Sequence, residues 1–167
     1  MNVNGFEIEH KYLIAMPDEA LLAEGDRSAI VQTYLLGEEG TTERVRMRRY
    51  ADRTEYTHTT KIRLSAVRRV ELEETVGQSE YEALLKRADP ARRPIEKQRF
   101  CLPYEGRTLE IDVFPFWRYH ALLEVELEDE GQPFLLPPEI RVIREVSDDL
   151  RYTNAALSLE IPDPNAD

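Results

Sequence analysis

The stretch Gly5–Ile14, GFEIEHKYLI, decides how the rest of the chain is read. Glu7, Glu9 and Lys11 stand at alternate positions, with Phe6, Ile8, His10 and Tyr12 interleaved. Side chains two apart on a strand share a face. Two carboxylates and an ammonium therefore line one side of this strand, and a largely apolar set lines the other. A single half-buried antiparallel strand with a solvated face reads the same way, so recurrence is what gives the pattern meaning.

It recurs. Eight candidate strands run Gly5–Ile14, Val31–Leu36, Glu43–Tyr50, Glu55–Lys61, Arg68–Thr75, Ile95–Leu102, Arg107–Phe114 and Ala121–Glu128. Arg44, Arg46 and Arg48 share a face of the third strand; Thr59 and Lys61 do so on the fourth. Arg69, Glu71 and Glu73 line up on the fifth, Lys97 and Arg99 on the sixth, Glu110 and Asp112 on the seventh, Glu124 and Glu126 on the eighth. The charges are sorted. Some strands offer only cations, some only carboxylates, and the first and fifth offer both.

Short, locally connected strands predict a mainly β (α+β) fold: an antiparallel sheet closed into a barrel, with a few flanking helices. Eight strands can enclose a lumen that side chains fill or that holds one small ligand. Alternation alone leaves two arrangements open, with the charged rows facing in or facing out. Inward rows would be costly to bury without ligands. Carboxylate pairs suit hard divalent cations, and Lys and Arg clusters suit phosphate oxygens.

Helices are expected at PDEALLAEG (17–25), SEYEALLKRA (79–88), PPEIRVIREV (137–146) and NAALS (154–158), the second opened by a Ser79–Glu82 capping box. YADRT and PYEG read as turns. One domain is expected over residues 1–161, with 162–167 a frayed tail.

Composition narrows the function classes. A chain of 167 residues can bury a sizeable single core. The net charge of −11 argues against general nucleic-acid binding, but not against an anionic small molecule held in a cleft. Cys101 is the only cysteine, which rules out an internal disulfide and a cysteine zinc site. No apolar run approaches the ~20 residues of a membrane span. The opening MNVNGFEIEH lacks the pattern of a signal peptide, so a cytoplasmic protein is expected. No Ser-His-Asp or Cys-His set is evident, so no covalent intermediate is expected. His10 and His58 fall opposite the charged rows and read as outer or packing residues, as do Cys101 and Trp117. Arg49 should face away from the charged side, and Arg92–Pro94 reads as a solvated loop.

EIEHK resembles the E-x-E-x-K signature of the CYTH superfamily, the triphosphate tunnel metalloenzymes. QTYL (32–35), RVRMR (44–48), TTK (59–61), RVELE (69–73), EKQR (96–99), EIDVF (110–114), EVE (124–126) and EVSDDLRYTNAAL (145–157) follow in the family's order and at compatible spacing. One departure is IRLSAVRRVELE after Lys61, more basic than the Gly- or Ser-rich turn often found there. The resemblance implies an eight-stranded antiparallel tunnel with the charged faces inward. It implies Glu7, Glu9, Glu124 and Glu126 as catalytic carboxylates holding Mg²⁺ or Mn²⁺. Lys11, Arg46, Arg48, Lys61, Lys97, Arg99 and Arg151 would bind the triphosphate, Lys97 also serving catalysis. Glu71, Glu73, Glu110 and Asp112 would be supporting acidic lining. The terminal segment would close one tunnel end, with Arg151 and Tyr152 near the site.

The activity so implied is metal-dependent hydrolysis of inorganic tripolyphosphate to pyrophosphate and phosphate, as in the small single-domain bacterial inorganic triphosphatases. Thiamine triphosphatases and class IV adenylate cyclases, which make cyclic AMP from ATP, are alternatives within the same family. A non-catalytic polyphosphate sensor is the alternative from another class. A small polyphosphate is the expected partner, with no nucleic acid and no membrane. A homodimer is compatible with the sequence, though no residue calls for one.

Overall fold

The computed structural model describes the backbone of residues 2–166 and the side chains from residue 8 onward. The strands are β1 (Asn2–Ala15), β2 (Asp26–Tyr34), β3 (Thr41–Arg49), β4 (Thr54–Arg63), β5 (Arg68–Val76), β6 (Ile95–Tyr104), β7 (Arg107–Val113), β8 (His120–Leu127) and β9 (Val142–Glu145). The helices are short: α1 (Glu19–Leu22), α2 (Gln78–Leu84) and α3 (Asn154–Leu157).

The sheet order is β5-β4-β3-β2-β6-β7-β8-β1-β9, and β1 also pairs with β5. The first half of β1 pairs with β5, ending at Ile8↔Arg68, while Ile8–Ala15 pairs with β8. β1 thereby closes an eight-stranded antiparallel barrel. The β6–β7 turn carries positive φ at both Glu105 (49°) and Gly106 (73°), as a tight two-residue hairpin requires.

Three local expectations are corrected. Residues 137–146 form a turn and then β9, not a helix. β5 ends its pairing at Ile8, so the same edge of β1 is open further along; the β-branched Val142 and Ile143 fill it, with Tyr12↔Glu145 and Leu13↔Arg144 in register. β2 begins at Asp26 rather than Val31, because β6 offers partners as far as Cys101. The capping box at Ser79 is absent: α2 starts from Gly77, with no side-chain cap.

The apolar core lies largely outside the barrel. Leu109, Ile111, Leu123 and Val125 project outward from β7 and β8, and Leu21 of α1 and Ile140 cover them. Tyr81 of α2 packs on Val45 and Val76 over another part of the outer wall. Inside, a smaller apolar cluster of Leu13, Tyr34, Ile95, Leu122, Tyr152 and Leu157 fills one end. Hydrophobic burial therefore fixes the parity of the strands, and the opposite parity, with the charged rows, is forced into the lumen. Among the described residues, no helix is long and apolar enough to cross a membrane.

Candidate functional site: a charged tunnel

The lumen is a cavity of about 910 Å³. Glu9, Lys11, Arg46, Arg48, Lys61, Glu71, Glu73, Arg99, Glu110, Glu124 and Glu126 all line it. The alternate positions of the sequence thus meet in one volume. The side chain of Glu7 lies outside the described residues; its backbone sits in β1 opposite Arg69.

Register decides which charges face each other. Lys11 stands opposite Glu124, and Glu124 opposite Glu110. The Lys11 Nζ reaches Glu124 Oε1 at 3.3 Å and donates to the Tyr152 carbonyl at 3.2 Å. Burial alone would raise the Glu124 carboxyl, but Lys11, then Arg99 and Lys97, hold it well below its usual range. Lys61 stands opposite Glu71, 3.6 Å away. Arg46 reaches Glu73 at 3.6 Å. Burial, with Arg44 and Arg99 as like-charged neighbours, pulls the Arg46 guanidinium down to about 10.

One rung differs. Glu9 and Glu126 are directly opposite across β1 and β8, an arrangement that like charges disfavour. Glu9 is held by Arg69 at 2.7 Å. Glu126 has no cation partner among the described residues, and burial, then Glu9, Glu71 and Glu124, push its carboxyl up. No group of three or more His, Cys, Asp or Glu side chains among the described residues is gathered tightly enough to enclose an ion as it stands. The donor chemistry nevertheless fits a hard divalent cation, since an all-oxygen set with surplus negative potential is what Mg²⁺ and Mn²⁺ take.

Lys97 and Asp112 point inward but are sealed at the plugged end of the barrel, where Asn154 and Phe114 stand against the Lys97 ammonium. The Lys97 Nζ is 2.7 Å from Asp112, with side-chain exposures of 0% and 2%. Arg99 forks onto the same carboxylate at 2.8 and 3.0 Å. Burial takes the Lys97 ammonium down to about 7, even though Asp112 opposes the shift. Burial would raise Asp112, but Arg99 and Lys97 outweigh it and hold the carboxyl at about 2. Neither residue is among those lining the cavity.

Arg151 does not reach the lumen. Asp149, two residues earlier in the same turn, captures its guanidinium at 2.9 and 2.7 Å and leaves it at the surface. The segment around it does close one end of the tunnel, where Val146, Ser147, Leu150, Thr153 and Ala156 line the cavity. Arg92, expected in a solvated loop, is turned inward: it lines the cavity and donates to the Ala155 carbonyl at 2.7 Å. Arg63 also lines the tunnel and could have been found by extending the alternation from Lys61. Arg44, in the third-strand row but given no role, is a buried lining residue as well. Arg107 sits at the mouth formed by the β6–β7 turn and carried no sequence signal. His10 and His58 stay off the lumen, bonded to Glu145 and Glu43, each at 2.8 Å. Trp117 is buried among Phe114, Phe116 and Tyr152. Cys101 is half-buried and accepts a weak bond from Arg48.

A closed antiparallel barrel whose interior is lined by sorted cations and carboxylates defines a polyanion tunnel. No family model matches the chain. The inorganic triphosphatase of Nitrosomonas europaea is 35% identical over 162 residues, which span 93% of this chain and 99% of that protein. The crystal structure of an inorganic triphosphatase superposes with a TM-score of 0.59 at 32% identity, covering 94% of this chain and 97% of that one. A Pyrococcus horikoshii protein, 16% identical with a TM-score of 0.55 over 74% of this chain and 80% of its own, shares the fold. The chain belongs to the CYTH superfamily, the triphosphate tunnel metalloenzymes.

Proposed function

We propose that the chain is a divalent-metal-dependent triphosphatase that hydrolyses inorganic tripolyphosphate to pyrophosphate and phosphate in the cytoplasm. The observation that carries this reading is the sorting of the lumen. Arg44, Arg46 and Arg48 on β3 and Lys11 on β1 offer donors to phosphate oxygens, while Glu9 and Glu126 form an acidic rung with too few cations of its own. A simple anion binder needs the first set and has no use for the second.

Glu9, Glu124 and Glu126, with Glu7 beside them in sequence, would hold Mg²⁺ or Mn²⁺. The metal would offset charge on the phosphate oxygens. The tunnel's own residues do the rest. Arg46, Arg48, Lys61 and Arg99 position the chain of phosphates, and fixed cations in a confined site stabilise charge that develops as the anhydride bond to the departing pyrophosphate breaks. Water supplies the new oxygen on the terminal phosphate. Glu71, Glu73 and Glu110 hold the cations in place by ion pairing.

The test is phosphate release from tripolyphosphate, thiamine triphosphate and ATP, each with Mg²⁺, Mn²⁺ or chelator, with cyclic AMP assayed in the ATP samples. Turnover that needs metal and is fastest on tripolyphosphate is expected. Faster turnover of thiamine triphosphate, or cyclic AMP from ATP, would replace the substrate. Binding without turnover on all three would make the protein a sensor.

A further inference from the structure

A second cavity, of about 600 Å³, opens on the outside of the barrel where β9 meets the start of β8 and residues 164–165. Tyr119, His120, Arg141, Arg144 and Asn165 supply its polar lining, and no carboxylate lines it among the described residues. The chain carries 33 acidic residues against 22 Lys and Arg, so an acid-free basic recess is not the expected surface. The neighbouring acids already hold hydrogen-bond partners. Glu145 Oε2 accepts from Ser147 at 2.6 Å and is paired with the His10 ring at 2.8 Å. Asp163 Oδ1 accepts from the Asn165 amides at 2.9 and 3.4 Å.

Two of the basic groups have no partner among the described residues. Among the described residues, neither the Arg141 guanidinium nor the His120 ring holds a hydrogen bond or ion pair. Arg144 stands behind them, donating to the Tyr152 hydroxyl at 2.8 Å and to the Ala166 carbonyl at 3.3 Å. An isolated pair of arginines would separate in solvent. Here Arg144 is fixed within β9 by pairing with β1, and Arg141, just before β9, is held by its carbonyl, which accepts from the Ala15 N–H at 3.0 Å.

We propose that this recess is an anion site for a tetrahedral oxyanion of the phosphate class, distinct from the tunnel. Arg141 supplies a fork of donors, His120 supplies a ring N–H, and Arg144 adds positive charge at the rear. The inference does not depend on what the tunnel does. It does touch the tunnel by contact, because Arg144 holds the hydroxyl of Tyr152, whose carbonyl receives the Lys11 ammonium.

The chain has only three histidines, which makes the site readable by NMR of the imidazole rings. Inorganic phosphate is titrated into the full chain at constant ionic strength, with chloride as the control. A saturable shift of the His120 signal, with His58 unmoved, is expected. That shift should persist in Arg46→Ala, which weakens the tunnel, and phosphate affinity should fall at least about tenfold in Arg141→Ala. Two results would overturn the proposal: no saturable His120 shift, or a shift unchanged in Arg141→Ala and abolished in Arg46→Ala. A molecule carrying a phosphate group, such as a nucleoside monophosphate, is the second titrant. Binding tighter than inorganic phosphate assigns the site to a phosphorylated compound, and equal or weaker binding assigns it to the free anion.

Discussion

Two clusters on the same barrel use the same kinds of side chain to opposite ends. At the β6–β7 corner, Asp112 faces Lys97 and Arg99, every distance is at most 3.0 Å, and the Lys97 and Asp112 side chains are sealed from solvent. At the β1–β8 rung, Glu9 faces Glu126, Arg69 pairs with Glu9 and not with Glu126 among the described residues, and the lumen lies open beside them. At the corner both oxygens of the Asp112 carboxylate are taken up by cations, and the Lys97–Asp112 pair works as structure. The rung is not matched in this way, and its unmet demand is what a ligand can answer. Charge in a lumen is therefore not by itself a site; uncompensated charge with access to solvent is.

The contrast predicts effects of different kinds. The largest is on stability: Asp112→Asn leaves two buried cations without their carboxylate and should cost about 3–5 kcal/mol, read as a lowered urea midpoint. A cost under about 1 kcal/mol, the range of a surface pair, would put the corner on the same footing as an exposed ion pair. The pH dependence has a defined sign. The folded-state pKa of Asp112, about 2, lies below its usual 3.8. Its stabilisation is therefore present above the unfolded value and is lost as pH falls from there toward 2. Lys97 acts in the other direction: with its ammonium pushed from 10.5 to about 7, the charged form burdens the fold below that value, and stability recovers as pH rises between the two.

Glu9→Gln should keep the fold and lower kcat by roughly 10²- to 10³-fold, because it removes a carboxylate from the open rung. Unchanged turnover at limiting Mg²⁺ would remove Glu9 from the metal site. Lys11→Ala should weaken tripolyphosphate binding by about tenfold or more, seen by calorimetry in the presence of metal. Equal affinity in variant and parent would mean that Lys11 serves only Glu124 and Tyr152. The smallest effect belongs to His58→Ala. Its ring bonds Glu43 on the outer wall, so turnover should stay within about twofold, as for substitutions away from a site.

The barrel was legible because period-2 alternation is local: Glu9, Lys11, Arg46, Lys61, Glu71 and Glu124 could be placed on common faces without any knowledge of their partners. What alternation could not supply was distance and depth. Lys97 and Arg99 sit on one row, yet only Arg99 lines the tunnel, since the Asp112 carboxylate and the plug at Asn154 enclose Lys97. Arg92 enters from a loop, where no period exists to flag it. Arg151 stays outside the lumen because Asp149, in its own turn, holds its guanidinium. RVIREV has no strict alternation and reads as helix; only the open edge of β1 makes it a strand.

The most direct measurement is Mn²⁺ binding, followed by electron paramagnetic resonance of the free ion, to the parent chain and to Glu126→Gln. Glu126 has no ion-pair partner to lose among the described residues, so its removal isolates metal ligation from structure. Saturable binding by the parent and a loss of at least about tenfold in the variant are expected. Equal Mn²⁺ affinity in the two proteins would contradict that expectation, and the acidic rung would then be lining rather than a metal site.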